Sequence, residues 1–453
     1  MKRFKVAIVG GGPGGLMTAY FLQKQADYPY DLTLYEASPR LGGKIQTQQF
    51  SAWPATYEAG AAELYDYSPV DEDPLKQLVL ELGLSITGMG GMSVIMRDRI
   101  LTTVEDIRDC LGGAAHREFL RFDRLAKDWI TPGEFYTADQ VDTVSRVTGT
   151  ARFDTVVETI EEPGTRRYLE YLIHSDLATE PHKTSPAYGL QNYLMNDPAY
   201  MNLYSIEGGN ERLPQELAKR IAGQVRLGQP VQSIARLPSG RLSITSAEGA
   251  VAVSEEYDFV VIAVPHNQLP SIRFEHPKLQ AAMVRHAQHY DYPANYLRIT
   301  ILFEKPFWRE RLAESYFMLD QFDGCCLYDE SSRSPELGFG VLGWLLAGEA
   351  AGIRGERSDA ELIDEALQSL PSFLSHGRHL FVEGRVHRWL GAVNGMPGGQ
   401  PLVPLDQRHQ PEPSTHPNLF VVGDYMYDST LNGVLDSATY VANWLASIIN
   451  ETY

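Results

Sequence analysis

The chain has 453 residues, of which 43% are apolar and 21% charged; these are ordinary values for a folded globular protein, exclude a disordered or fibrous chain, and leave room for two or three domains. A formal charge of −19 excludes a broad nucleic-acid surface, because phosphate binding draws on clustered Lys and Arg. Three cysteines, Cys110, Cys325 and Cys326, have no zinc spacing and read as reduced thiols, and no metal site is expected.

Residues 5–9, KVAIV, predict a short buried strand, and GGGPGG at 10–15 leads into LMTAYFLQKQ at 16–25, whose apolar spacing is helical. The glycines interrupt the first apolar stretch, so no secretory or membrane-spanning segment is expected and the protein reads as cytoplasmic. Gly10, Gly12 and Gly15 supply GxGxxG: a tight turn at Gly10, close approach of a pyrophosphate at Gly12, helix–strand packing at Gly15, with Pro13 and Gly14 completing the nucleotide turn. A second strand, DLTLYE at 31–36, ends in Glu36, 21 residues after Gly15, where a carboxylate suits a ribose hydroxyl and repels the extra phosphate of NADP. The pattern predicts a Rossmann-type site for FAD or NAD.

The next stretch, YEASPRLGGK at 35–44, resembles the second glycine motif of the FAD-dependent amine oxidase superfamily, which includes monoamine and polyamine oxidases, protoporphyrinogen oxidase and carotenoid desaturases. The resemblance implies noncovalent FAD, with Arg40, Gly42, Gly43 and Lys44 near the pyrophosphate. Lys44 stands where the family commonly has Arg, so the positive charge is kept without the bidentate geometry of a guanidinium. YEAGAAE at 57–63 resembles the segment that passes the flavin, with Gly60 and Ala61 at that position.

The resemblance continues in LYSIEGGNERLPQELAKRI at 203–221, the return to the FAD domain, and in VRLGQPVQSI at 225–234, where Val231 matches the residue that holds adenine through its backbone. FVVIAVP at 259–265 predicts a buried parallel strand. NYLRITILFEKPFW at 295–308 predicts a sheet strand ending in a proline and aromatics. A second GxGxxG pattern, GFGVLG at 338–343, lies inside one apolar run and reads as a glycine-containing strand, so no separate NADPH domain is expected and electrons come directly from substrate. NLFVVGD at 418–424 ends in Gly423 and Asp424, placed at the ribityl or pyrophosphate region. NGVLDSATYVANWL at 432–445 predicts a helix whose first residues, Gly433 and Val434 among them, face the flavin.

The expected fold is therefore α/β: a discontinuous Rossmann-type FAD-binding domain from 1–70, 203–268 and 390–453, with an α+β substrate-binding domain from 71–202, mainly helical, and 269–389. At the reactive centre, the family's monoamine and polyamine oxidases place a lysine on the strand before a PFW-type sequence, and the matching residue here is Arg298. Arg298 stays protonated; it could hold a water, pair with a substrate carboxylate or stabilise flavin N5. The paired aromatic cage of monoamine oxidases has no counterpart, because its positions fall at Val434 and at Val393 or Asn394. Trp389 and Asn394 remain candidates beside Arg298, with Tyr425 and Tyr427 as pocket walls. The family's FAD-bonding cysteine has no match in 389–399.

The implied activity is removal of hydride by flavin N5 from a small molecule, an amine or amino-acid-derived compound or a C–C bond to be desaturated, with dioxygen or another acceptor reoxidising the flavin. The alternative is a flavin-dependent isomerase or non-redox enzyme of the same fold.

Overall fold

The computed structural model describes residues 3–69, 72–91, 93–136, 152–249, 251–333 and 337–451. At its centre is a five-stranded parallel sheet in the order Gln224–Arg226, Tyr30–Tyr35, Phe4–Val9, Phe259–Ile262, Leu419–Val421. Both faces of its inner strands are covered, which is why they read as continuous apolar runs rather than alternating ones. On one face Val6, Ile8 and Val261 meet the helices Pro13–Gln25 and Leu431–Glu451, packed through Leu16, Met17, Leu435, Ala438 and Ala442. On the other, Ala7, Val9 and Val260 meet Ile234, Ile244, Leu279 and Met283.

That second layer begins with an antiparallel meander, Val231–Arg236, Leu242–Glu248 and Val251–Tyr257, and Arg273–Phe274 adds a parallel edge to it. The helix Pro277–His289 completes the same core. The nucleotide-side layers thus extend to about Tyr290, beyond the boundary expected at 268, because the apolar face of this helix has its partner there. The run VRLGQPVQSI is also two strands rather than one. Gln224–Arg226 closes the parallel sheet, Gly228 turns with φ +65°, and Val231–Arg236 enters the meander.

A seven-stranded mixed sheet forms the other half, ordered Phe381–Asn394, Pro293–Phe303, Gly340–Ala347, Cys325–Asp329, Tyr316–Leu319, Val94–Met96, Arg99–Leu101. GFGVLG lies in its third strand, and a Cβ at Gly340 would stand 2.4 Å from Trp308, so that glycine serves packing rather than a nucleotide. Helices between Val104 and Leu194 cover the sheet, among them Pro163–Leu177, whereas Pro74–Glu81 packs into the core of the parallel sheet. Three short strands of this region, Ile86–Met89, Val94–Met96 and Arg99–Leu101, lie within what reads in sequence as mainly helical chain; residues 137–151 of that region lie outside the described ones. Cys325 and Cys326 are free and face opposite sides of their strand, each in a different apolar core. Among the described residues no helix is long and apolar enough to cross a membrane.

Candidate active site

Two cavities meet where the parallel sheet ends. The first is a groove of about 350 Å³ along the carboxyl ends of the strands, walled by Gly10, Gly12, Glu36, Val231, Gly423 and Asp424 among others, the place where open α/β sheets bind ligands. The second, about 180 Å³, lies between that groove and the mixed sheet. Pro13, Lys44, Asp424 and Val434 line both.

The glycines of the first turn differ in their surroundings. Gly10 sits at φ +111° and its N–H donates to Tyr35 O at 2.8 Å. A Cβ on Gly15 would fall 2.0 Å from Gly10 O, so only glycine lets the helix approach the strand. At Gly12 a Cβ would meet nothing closer than Gly43 Cα at 3.8 Å; the space beside it is open groove. Pro13 opens the helix at its first position, where its missing N–H costs nothing. Gly14 also walls the groove. Glu36 accepts from Gly11 N at 2.7 Å and from Ser38 N at 2.8 Å, which fixes its carboxylate at the groove's end.

Around RLGGK the roles separate. Gly43 and Lys44 line the groove. Lys44 Nζ donates to Ala392 O at 2.7 Å and stands 3.5 Å from Asp424 Oδ2. Arg40 and Gly42 are not among the lining residues: Arg40 donates to Leu41 O at 3.0 Å and Ile45 O at 3.3 Å, and so ties the loop to itself. Its guanidinium is directed at these loop carbonyls and stands 3.7 Å from Glu211 Oε1. Gly433 likewise stands behind the wall, with Asp428 Oδ1 where its Cβ would be, and Val434 faces both cavities.

The second cavity brings together Gly60, Ala61, Arg298 and Trp389. Gly60 passes so close to Lys44 O that a Cβ would lie 1.9 Å from it. Trp389 is anchored by Nε1 donating to Ala59 O at 2.7 Å. Arg298 is 1% exposed and its guanidinium pairs with the buried carboxylate of Glu330, with the Tyr328 ring 5.0 Å away. Glu330 in turn meets Arg333 at 3.2 Å, and Arg333 reaches Glu58 at 2.9 Å. The charge of Arg298 is thereby balanced inside the protein, as a buried ion must be. Asn394 is not part of this wall: its side chain donates to Tyr290 O at 2.7 Å and accepts from Met396 N at 2.8 Å. Those two bonds use the amide to shape the 394–396 turn, which corrects its candidacy as a catalytic group. Tyr425 and Tyr427 are buried in the adjoining core and line neither cavity.

Several site residues carry no sequence signal that singles them out. Glu63, Tyr65, Tyr296 and Thr430 line the second cavity. Burial raises the Glu63 carboxyl above its ordinary range against the opposing pull of Arg298, and burial pushes the phenols of Tyr65 and Tyr296 far up. Glu63 closes the segment YEAGAAE, which resembles a flavin-passing stretch, but only the fold turns its side chain toward the cavity.

A family model described as flavin containing amine oxidoreductase matches residues 13–445. A flavin-dependent L-tryptophan oxidase of Lentzea aerocolonigenes is 22% identical over 490 residues, covering 96% of each chain. Among solved structures, a putrescine oxidase bound to putrescine superposes with a TM-score of 0.72 at 18% identity, covering 98% of this chain and 99% of the other. Cyclohexylamine oxidase from Brevibacterium oxydans IH-35A gives 0.73 at 18% identity, covering 99% and 100%.

Proposed function

This chain belongs to the flavin-containing amine oxidoreductases and is an FAD-dependent oxidase, and from that premise we propose that its substrate is a small amine, or an amino-acid-derived amine, oxidised in the second cavity. The groove fits FAD on its own terms: the open space at Gly12, the fixed carboxylate of Glu36 and the passage from groove to second cavity at Pro13, Lys44, Asp424 and Val434 suit a dinucleotide with a ring system at one end. When bound, FAD supplies a two-electron acceptor for the substrate carbon.

The observation that carries the amine reading is the state of Arg298. Glu330 already neutralises it and Lys44 is engaged by Ala392 O and Asp424, so among the described residues the cavity offers no free cation to a substrate carboxylate, while Glu63 stands in the wall with one oxygen lacking a partner. A site of this charge draws in a cationic substrate. Trp389, Tyr65 and Tyr296 give it an aromatic lining that holds the body of the molecule and keeps water out. Arg298, Trp389 and the loop at Gly60 and Ala61 position the substrate rather than move protons; an arginine this well paired remains charged. Electrons pass on to dioxygen or another acceptor.

Anaerobic mixing with a panel of amines, amino acids and polyenes tests this. Bleaching of the yellow protein by amines is expected. Bleaching by polyenes alone, or by nothing in the panel, would overturn it.

A further inference from the structure

Oxidation of an amine at neutral pH requires the ammonium form to lose a proton before its carbon can give up electrons, and the cavity offers few groups to take it. Six titratable side chains line it: Lys44, Glu63, Tyr65, Tyr296, Arg298 and Asp424. Lys44 and Arg298 are cations held by carbonyl or carboxylate partners. The two tyrosines keep their own protons far into alkali, because burial disfavours the phenolate. Asp424 faces Lys44 at 3.5 Å and is shared with the nucleotide groove. Glu63 remains.

Its surroundings suit the task. Glu63 separates the cavity from a small recess that it lines together with Asp176, Asn196, Cys326 and Tyr328, with about 10 Å³ of space, enough for one water-sized group. The Tyr328 hydroxyl donates to the Glu63 carboxylate, while Oε2 is buried without a partner. A buried acceptor left open in this way costs free energy unless something binds there.

We propose, on the footing of the amine reading, that Glu63 backed by Asp176 is the proton acceptor for the substrate: the lone pair of Glu63 Oε2 takes a proton from the substrate ammonium, an N–H bond breaks, an O–H bond forms, and the amine is left neutral with no electron transferred. Asp176 is the positioning partner. Two carboxylates lining one recess do not both ionise without cost, so the ionised Glu63 raises the hold of Asp176 on its proton. Burial and the charge of Glu63 push Asp176 up to about 8. Glu63 itself is raised by burial, and Arg298 from the strand Pro293–Phe303, Tyr328 from the strand Cys325–Asp329 and Arg333 from the following turn pull it back. Tyr316 and Cys326 add no charge, since burial holds both in their protonated forms. A carboxyl whose hold on a proton is raised by burial is a stronger base than an exposed one.

The test is the rate of anaerobic flavin reduction by a reactive amine from pH 6 to 10, in FAD-loaded wild type, Glu63→Gln and Asp176→Asn. Glu63→Gln is expected to be about 100-fold slower at pH 7, to gain about tenfold per pH unit, and to approach wild type near pH 10 as the free amine itself becomes neutral. Asp176→Asn replaces a carboxyl that holds its proton up to about pH 8 by a neutral amide, so the acid limb and the plateau should both be retained, and only a change of rate where Asp176 ionises should be lost. Wild-type rates in Glu63→Gln at pH 7, or a deficit equal at every pH, would overturn the assignment. So would loss of the acid limb in Asp176→Asn, which would make Asp176 the base; that variant stands as the check if Glu63→Gln fails to fold. If wild type is reduced by no amine at all, the amine reading falls and this proposal with it; reduction by amines with Glu63→Gln unaffected overturns the base alone.

Discussion

The guanidinium of Arg298 lies against the carboxylate of Glu330 with both side chains closed off from solvent, 1% and 0% exposed, the arginine on the strand Pro293–Phe303 and the glutamate in the turn that follows Cys325–Asp329. Removing one member strands the other. Arg298→Ala should keep FAD but lose about 3–5 kcal/mol of stability, read as a fall in the urea midpoint of the holoprotein. Flavin reduction should slow on the order of tenfold, about 1.4 kcal/mol of barrier. The double variant Arg298→Met with Glu330→Met should recover most of the stability and none of the rate. A double variant no more stable than Arg298→Ala would contradict the pairing.

Gly12 and Gly15 are three residues apart and should fail differently. Gly12→Val puts a side chain into open groove, where the only near atom is Gly43 Cα at 3.8 Å for its Cβ. The protein should fold and purify colourless, with the ratio of flavin to protein absorbance near zero. Gly15→Ala drives a Cβ toward Gly10 O at 2.0 Å, so its expected defect is a loss of stability of about 1–3 kcal/mol, seen in melting of the apoprotein as much as of the holoprotein.

Trp389 is pinned by Ala59 O at 2.7 Å and walls the second cavity alone, not the groove. Trp389→Ala should leave flavin content unchanged and raise KM about tenfold, equivalent to about 1.4 kcal/mol of substrate binding. Loss of FAD in this variant would place the indole in the cofactor's site instead.

Two buried groups give opposite pH dependences. Burial lowers the His286 imidazole to about 3, with Nε2 3.1 Å from Tyr425 OH. Its folded-state value lies below the unfolded 6.5, so the folded protein binds fewer protons and stability is lost as pH falls below about 6.5, by roughly 2 kcal/mol at pH 5. Asp176, at about 8, works the other way: its contribution is complete in acid and lost as pH rises through the range from 3.8 to 8. Urea titrations at pH 5 and 7 should show His286→Gln less acid-sensitive than wild type and Asp176→Asn more so. Parallel profiles for all three proteins would exclude both effects.

Much of the nucleotide half was readable because its demands are local. Gly10, Gly12, Gly15 and Glu36 occupy a single turn and the end of the next strand; Gly10 and Gly15 answer to backbone geometry that only glycine satisfies, Gly12 leaves open groove beside it, and the Glu36 carboxylate accepts from the turn. Arg40, Asn394 and Gly433 sit beside such positions in sequence, yet their polar atoms or missing side chains are committed to holding the chain, a distinction that depends on which way a loop faces. The second cavity was hardest to foresee. Glu63 and Asp176 are more than a hundred residues apart, and Glu330, in the turn after Cys325–Asp329, reaches Arg298 past the intervening strand Gly340–Ala347, a neighbourhood that periodicity does not give. The boundary near Tyr290 was hidden for the same reason, since an amphipathic helix does not say which core its apolar face joins.

Because Pro13, Lys44, Asp424 and Val434 belong to both cavities, FAD held in the groove would complete one wall of the second cavity. On the proposed reading, ligands selected on flavin-free protein would be chosen by a chamber of a different shape, and only the loaded protein would present the surface that distinguishes one substrate from another.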